Sequence, residues 1–553
     1  MMSVPNPSDV QATYVATLVD EWIRCGLSDV VICPGSRSTP MTLELARRKE
    51  LRISVRLDER GAAFYALGRS LETTRPALII VTSGTAAAEL HAAVAEADQA
   101  YVPLLVVTAD RPPELHGVGA PQTIPQHDLF GPMVRLAADP GVATESAAGT
   151  WRSLASDLWH AAIGTLAPAG PVHLNAAFIE PLLGQPCTLE ATATLPIDRS
   201  LPASIEVTPD VAGLRVLAIF GPGAQRRDFE RARAMNWAVL GDATATNTIS
   251  YFDGLLRNDD FAKLVRPDVV VRLGGLVASK TLASRIREWH VPVIGLALSR
   301  PVADPDRVVT ATLRGTDLVV SPVGQADATY CDIWLTAARR AEENFAGLAL
   351  SSSKLTEAVI AREVVRETNE YDRPLVLGSS MPIREVEWFT PARKGHVFSN
   401  RGANGIDGVT STVFGIGAVR GAVGLIGDLT FLHDASALVD PPQAPVAVVV
   451  VANDGGHIFD FLPQKAALAT DEFAELFTTP RTPRPSDVAR GFGLKAVVVE
   501  TVGELRAALR DSANQADVTV IEAVPSAPVT NVEFHAWLER SLSRIANETV
   551  QSQ

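Results

Sequence analysis

Short, unbroken apolar runs punctuate the chain, separated by longer mixed segments. Asp29-Val-Val-Ile-Cys33, Ile53–Leu57, Ala77–Thr82 and Leu104–Thr108 are such runs in the first third. Bounded by turn residues, runs of this length fit strands buried on both faces. Between them lie helical patterns. One opens at Pro40, a favoured first-turn position, one covers Glu59–Leu71, and an alanine-rich one reaches about Ala97. Apolar strands alternating with helices predict a parallel sheet covered on both sides.

The same texture returns twice. A second stretch runs from Val216 to about Val323, with strands at Val216–Phe220, Val269–Leu273 and Val291–Leu296. A helical segment over about 331–370 leads to a third. Its strands are Leu375–Leu377, Val423–Ile426 and Val446–Val451, with late strand signals near Ala496–Glu500 and Val518–Ala523. Pro/Thr-rich text over 186–210 reads as a linker. The pattern predicts an α/β protein of three doubly wound parallel-sheet domains, residues 1–186, 187–355 and 356–553.

Charge narrows the function classes. The 553 residues hold 49 Lys and Arg against 63 Asp and Glu, a net charge of −14. Such a chain, with no basic cluster, is a poor binder of nucleic acid or anionic membranes. Any anionic substrate has to be held by a few local arginines. The longest apolar run, Val446–Ala452, falls far short of the ~20 residues of a membrane helix. No basic, then apolar leader is visible at the start, and Cys25, Cys33, Cys187 and Cys331 form no CxxC pair. A cytoplasmic protein with reduced thiols is the expectation.

In open parallel sheets, ligands bind beyond the carboxyl ends of strands, where loops feed helix starts. In the first domain those loops carry Pro34–Thr39, Asp58-Glu59-Arg60, Ser83-Gly84-Thr85 and Asp110-Arg111-Pro112. In the third they carry Gly378-Ser379-Ser380, Ser399-Asn400-Arg401-Gly402, Gly427-Asp428-Leu429-Thr430 and Asn453-Asp454-Gly455-Gly456. Asp428 and Asn453 end neighbouring strands, with a backbone carbonyl near Gly455. Carboxylate, amide and carbonyl oxygens suit Mg²⁺ with a diphosphate completing the octahedron. The helix after Leu429 can aim backbone N–H groups at the same anion. Gly221-Pro-Gly223 lacks a third glycine in register and is a weak dinucleotide signal.

The Gly427-Asp428 to Asn453 spacing resembles the thiamine-diphosphate signature, with Leu429 and Ala452 standing where a Gly and an Asn are usual. Five motifs in order narrow the resemblance. They are Pro34-Gly-Ser-Arg-Ser-Thr-Pro40; Thr108-Ala-Asp-Arg-Pro-Pro-Glu-Leu115; Ser399-Asn-Arg-Gly402 with Gly405-Ile-Asp-Gly408; Gly427-Asp-Leu429; and Gly455-Gly-His-Ile-Phe459. Together they are similar to the MenD family, the 2-succinyl-5-enolpyruvyl-6-hydroxy-3-cyclohexene-1-carboxylate (SEPHCHC) synthases of menaquinone biosynthesis. Leu429 is what that family has.

The resemblance implies a thiamine-diphosphate-dependent transferase that decarboxylates 2-oxoglutarate and adds the four-carbon remainder to isochorismate. It implies thiamine diphosphate and Mg²⁺ or Mn²⁺ as cofactors. It also implies an active unit that is a homodimer at least, with a homotetramer expected, because the glutamate and metal motifs sit in different domains. Glu59 is the implied carboxylate beside the aminopyrimidine ring. Ile406 is the implied wedge between the two rings. Ser379, Ser380, Gly427, Asp428, Leu429, Thr430, Asn453, Gly455, Gly456, His457 and Ile458 complete the implied cofactor site, with Asp428, Asn453 and Gly455 on the metal. Ser380, Arg384 and Arg401 are assigned to the succinyl end; Ser36, Arg37, Arg111 and Gln122 to isochorismate or the reacting centre. Lys280 is carried over from the middle domain, and Phe459 and Leu462 form an apolar wall. His457 is expected to be positional. The chain departs from the family pattern at Pro121, Thr281, Ser379 and Asp454. Another thiamine-diphosphate-dependent 2-oxoacid decarboxylase or carboligase is the alternative, and a non-catalytic homologue a third. The paired Arg384 and Arg401 weigh against the second. Intact Glu59, Asp428 and Asn453 weigh against the third.

Overall fold

The computed structural model describes residues 6–165, 167–187, 206–207, 209–298, 300–315, 317–319, 324–347 and 353–553. Most of the Pro/Thr-rich linker, residues 188–205, lies outside the described residues.

The first sheet contains β1 (Asp29–Ile32), β2 (Arg52–Val55), β3 (Ala77–Val81), β4 (Leu104–Asp110), β5 (Ala137–Ala138) and β6 (Pro171–Ala177). Its order is β2-β1-β3-β4-β6-β5, all parallel. Every residue of β3, β4 and β6 is buried, as apolar runs between two helical layers require. Then follow β7 (Glu206–Val207), β8 (Val216–Phe220), β9 (Ala238–Gly241), β10 (Val269–Leu273), β11 (Val293–Ala297), β12 (Ala311–Arg314) and β13 (Asp317–Leu318). The central sheet runs β12-β11-β10-β8-β9, and β7 pairs with β13. The third sheet holds β14 (Leu375–Leu377), β15 (Val397–Ser399), β16 (Ala422–Gly427), β17 (Val446–Val451), β18 (Lys495–Val499) and β19 (Val518–Ala523), ordered β15-β14-β16-β17-β19-β18. In all three, the first strand pairs with the second on one side and the third on the other. That reversal opens a crevice at the strand ends.

By internal packing, the described residues up to 187 form one compact unit with Asn400–Ala418 and His433–Pro441. The remaining described residues form a second. In the first unit, helix Glu59–Thr73 crosses helix Val409–Gly417 at closely approaching backbones. A Cβ on Gly415 would lie 2.2 Å from the Tyr65 carbonyl oxygen, and one on Gly68 2.5 Å from that of Thr412. Buried Arg69 joins the crossing by donating to the Gly415 carbonyl at 3.0 Å and to Asp29 at 2.9 Å.

Four sequence readings shift. β2 ends at Val55, because Arg56 turns inward with its guanidinium 3.6 Å from the Tyr65 ring and Leu57 is 68% exposed. The alanine-rich helix is two pieces, Thr85–Ala88 and His91–Ala100, joined at fully buried Leu90. The segment over 331–370 is also two helices, Ala328–Ala346 and Glu357–Tyr371. The Thr356 hydroxyl starts the second by accepting the Val359 N–H. The helix expected after Leu429 begins at Asp428 and is only six residues long. The C-terminal helix Asn531–Gln551, not anticipated, packs Leu538, Leu542 and Ile545 against Leu255, Phe261 and Trp334. Among the described residues no helix is long and apolar enough to cross a membrane.

Candidate active site

In the first unit, the reversal point lies between β1 and β3. A Cβ on Gly35 would sit 2.4 Å from the Thr82 Cβ, so only glycine lets the loop after β1 press onto the end of β3. Glu59 is the first residue of its helix, capped by Asp58, whose carboxylate accepts the Arg60 N–H at 3.0 Å. A cleft of about 530 Å³ opens here, lined by Ser36, Glu59, Glu89 and Gln122 among others. Burial raises the Glu59 carboxyl above its ordinary range, and the charges of Asp58 and Glu89 push the same way. A hydrogen bond from the backbone at the helix start opposes that rise.

Gln122 adopts φ 57° and donates its amide N–H to the Ser83 carbonyl at 2.9 Å. Its own carbonyl accepts the Ser83 hydroxyl at 3.0 Å. Buried Gln126 holds the same loop by accepting the Gly84 N–H at 2.9 Å. Arg37 donates to the Phe178 carbonyl at 3.0 Å and pairs with Glu180 at 3.4 Å. Burial and then the neighbouring charge of Arg37 lower the pKa of Arg111. Neither arginine is among the residues lining the cleft. Arg401 donates to the Asn404 side chain at 2.5 Å. Its loop is gripped by buried Glu96, which accepts the Gly402 and Ala403 N–H groups, each at 2.6 Å. Ile406, on the same loop, is 38% exposed.

In the second unit the reversal point lies between β14 and β16. Ser379 is buried, and Ser380 has φ 75°, ψ −132°, a region that strains any side chain. Arg384, one turn on, donates back to the Ser380 carbonyl at 2.5 Å. Across the crevice, Asp428 Oδ1 accepts the Leu429 N–H at 2.7 Å and Oδ2 the Gly455 N–H at 3.0 Å. Burial raises this carboxyl, while those N–H groups and that of Asp454 oppose the rise. Thr430 is buried beside it and Leu429 half-buried. A Cβ on Gly427 would meet nothing within 4 Å, so the approach to Asp428 is open. Asn453, two residues past the end of β17, donates Nδ2–H to Glu357 Oε1 at 2.9 Å. Gly455 has φ 126°, and a Cβ there would lie 2.2 Å from the Thr478 oxygen. Gly456 donates to that same oxygen at 2.7 Å.

The donor set here is one carboxylate, one amide oxygen and one backbone carbonyl. All are hard oxygens, the kind such a cation prefers. Among the described residues no group of three His, Cys, Asp or Glu is placed to hold a metal. A cation held here would draw on backbone and amide oxygens and on ligand oxygens as well as Asp428. These residues fit a diphosphate–Mg²⁺ pair. His457 Nδ1 meets Asp460 at 2.6 Å, Ile458 is half-buried, and Phe459 stands edge-on to Phe477 with centroids 5.6 Å apart. Leu462 is exposed. Lys280, itself exposed, starts a helix beside the central sheet, not beside the sheet that carries Asp428.

The structure thus gathers Ser36, Glu59 and Gln122 in one cleft. It sets Ser379, Ser380, Asp428, Asn453 and Gly455 on the ends of three adjacent strands. Sequence reading missed Glu357, Glu96 and Gln126. An acid at a helix start is ordinary for the helix dipole, so the sequence of Glu357 carried no signal. Burial alone distinguishes it.

Residues 12–129 match the family model for the thiamine pyrophosphate enzyme N-terminal TPP binding domain. Three curated relatives carry the name 2-succinyl-5-enolpyruvyl-6-hydroxy-3-cyclohexene-1-carboxylate synthase. That of Myxococcus xanthus is 34% identical, covering 91% of this chain and 93% of its own length. That of Thermobifida fusca is 36% identical over 91% of this chain and 94% of its own. That of Salinibacter ruber is 34% identical over 99% of both. The chain belongs to the 2-succinyl-5-enolpyruvyl-6-hydroxy-3-cyclohexene-1-carboxylate synthase family of thiamine-diphosphate enzymes.

Proposed function

We propose that the protein joins the four-carbon remainder of 2-oxoglutarate to isochorismate, giving SEPHCHC and CO₂ in menaquinone biosynthesis. The observation that carries this reading is the presence of two sites, each at the reversal point of its own sheet. One is a carboxyl cleft around Glu59; the other is an oxygen-ligand set around Asp428. Bound thiamine diphosphate supplies the chemistry that decarboxylates a 2-oxo acid and passes the remainder to an acceptor.

The chain's own groups bind, orient and hold protons. Asp428, Asn453 and the Gly455 carbonyl are the proposed ligands of Mg²⁺ or Mn²⁺. Gly427 and Gly456 leave room for the diphosphate, with Leu429, Thr430, His457 and Ile458 around it. Glu59 is the proposed partner of the pyrimidine ring, holding the proton shared with a ring nitrogen. Its raised affinity for that proton supports the assignment. Ser380, Arg384 and Arg401 are proposed for the succinyl carboxylate; Ser36, Arg37, Arg111 and Gln122 for isochorismate or the reacting centre. A planar guanidinium donates two parallel bonds to a carboxylate, which suits two acidic substrates in an acidic protein. Ile406 remains the proposed ring wedge, Phe459 and Leu462 the apolar wall, and Lys280 a contact from the central domain.

We also propose that the functional unit is a homodimer at least and a homotetramer in full, in the cytoplasm. Domain limits of 1–186, 187–355 and 356–553 go with this reading. One principal parallel sheet inside each span supports them.

The test is a reconstitution. Purified protein is mixed with thiamine diphosphate, Mg²⁺, 2-oxoglutarate and isochorismate, and isochorismate is followed by absorbance. Loss that needs all four additions is expected. CO₂ release from 2-oxoglutarate with isochorismate untouched would instead favour the simple decarboxylase.

A further inference from the structure

We propose that Glu357 is a positioning residue. It fixes which end of the Asn453 side chain faces the cation. The inference rests on Asn453 being a metal ligand.

An amide group has an oxygen end and a nitrogen end of nearly equal size, and only the oxygen can ligate Mg²⁺. Nothing in an isolated Asn side chain prefers one orientation. A carboxyl oxygen that carries no hydrogen can only accept a hydrogen bond, so beside an amide it selects the nitrogen end. Glu357 Oε1 accepts Asn453 Nδ2–H at 2.9 Å, which turns Oδ1 away from Glu357. This is how buried partners commonly orient metal ligands.

Glu357 is itself firmly placed. It is the first residue of helix Glu357–Tyr371, and the Thr356 side chain caps that helix. It is 6% exposed, unlike an acid that merely favours a helix start in water. A second buried carboxyl, Glu385, lies near enough to act on it electrostatically, as do His535 and Asp428. Glu385 is held in turn by His535 Nε2 at 2.6 Å and by Asn531 Nδ2 at 3.0 Å. The His535 ring is packed edge-on against Phe389, with centroids 4.8 Å apart. Two carboxyls buried side by side are costly. Service to Asn453 accounts for keeping one of them.

The test measures Mn²⁺ affinity by electron paramagnetic resonance, in full-length protein saturated with thiamine diphosphate. Asn453→Asp makes both ends of the side chain oxygen, so orientation no longer matters there. Glu357→Met should weaken Mn²⁺ binding about ten-fold or more against wild type, within the range for second-layer ligand partners. Glu357→Gln, which keeps an acceptor oxygen, should recover most of that loss. In the Asn453→Asp background, Glu357→Met should cost nothing. An equal loss in both backgrounds would make Glu357 merely structural, and no loss in either would also overturn the proposal. Asn453→Ala separates the two layers of the argument. If Asn453→Ala binds Mn²⁺ like wild type, the ligand assignment itself is wrong.

Discussion

Gly455 gives its backbone N–H to Asp428 Oδ2 at 3.0 Å, across the ends of two hydrogen-bonded strands. With the Leu429 and Asp454 N–H groups, the bond fixes the carboxylate among backbone donors. Gly455→Ala is expected to break it, since the added Cβ would lie 2.2 Å from the Thr478 oxygen at φ 126°. The strain is about 1–3 kcal/mol. Thermal melting should fall, and thiamine diphosphate binding, read by fluorescence at fixed Mg²⁺, should weaken. Gly427→Ala meets no protein atom within 4 Å. It should leave melting unchanged and weaken cofactor binding alone.

Glu59→Gln keeps the size of the side chain and removes its capacity to take up a proton. Turnover should fall by roughly 10²–10⁴-fold, the usual contribution of a positioned acid or base. Cofactor affinity, measured by calorimetry, should stay near wild type. A variant that turns over normally would remove Glu59 from the mechanism.

In the proposed reaction the arginines divide between substrates. Arg384 sits one turn from Ser380 on the helix that follows β14, and Arg111 follows β4 of the first sheet. Losing a charge-assisted hydrogen bond costs about 1.5–3 kcal/mol, or roughly ten- to a hundred-fold. Arg384→Met should raise KM for 2-oxoglutarate by that factor and leave KM for isochorismate near wild type. Arg111→Met should do the reverse. Initial rates with each substrate varied in turn check both.

His173 is buried in β6, and burial lowers its pKa from 6.5 to about 4. Its Nε2 meets the Thr108 hydroxyl at 2.7 Å. Between those values the unfolded chain binds the proton and the folded chain does not. Stability is therefore full above about pH 6.5 and falls as pH drops toward 4. The loss is on the order of 3 kcal/mol. Urea unfolding at stepped pH should show this slope, and His173→Gln should flatten it.

Strand identity was legible wherever burial on both faces wrote an unbroken apolar run, as in Val446–Val451 and Ala77–Val81. Strand ends were less so, because Arg56 is polar yet buried and Leu57 apolar yet exposed. The C-terminal helix, with an amphipathic pattern and no strand to announce it, escaped notice. The strand-end motifs pointed to Asp428 and Asn453 because loops beyond parallel strands are where ligands bind, and the family resemblance singled out Glu59 among those loops. Glu357 and Glu96 could not be found that way. Their roles depend on burial and on partners far off in sequence, Asn453 and Gly402.

The most direct measurement follows carbon. The holoenzyme is given 2-oxoglutarate labelled with ¹³C at C1, together with isochorismate, and products are read by mass spectrometry. The expected result is all label in CO₂, and one unlabelled product carrying every atom of isochorismate plus the four-carbon unit, with its enolpyruvyl group intact. Label retained in the product, free succinic semialdehyde as the sole organic product, or release of pyruvate from isochorismate would contradict the proposed reaction.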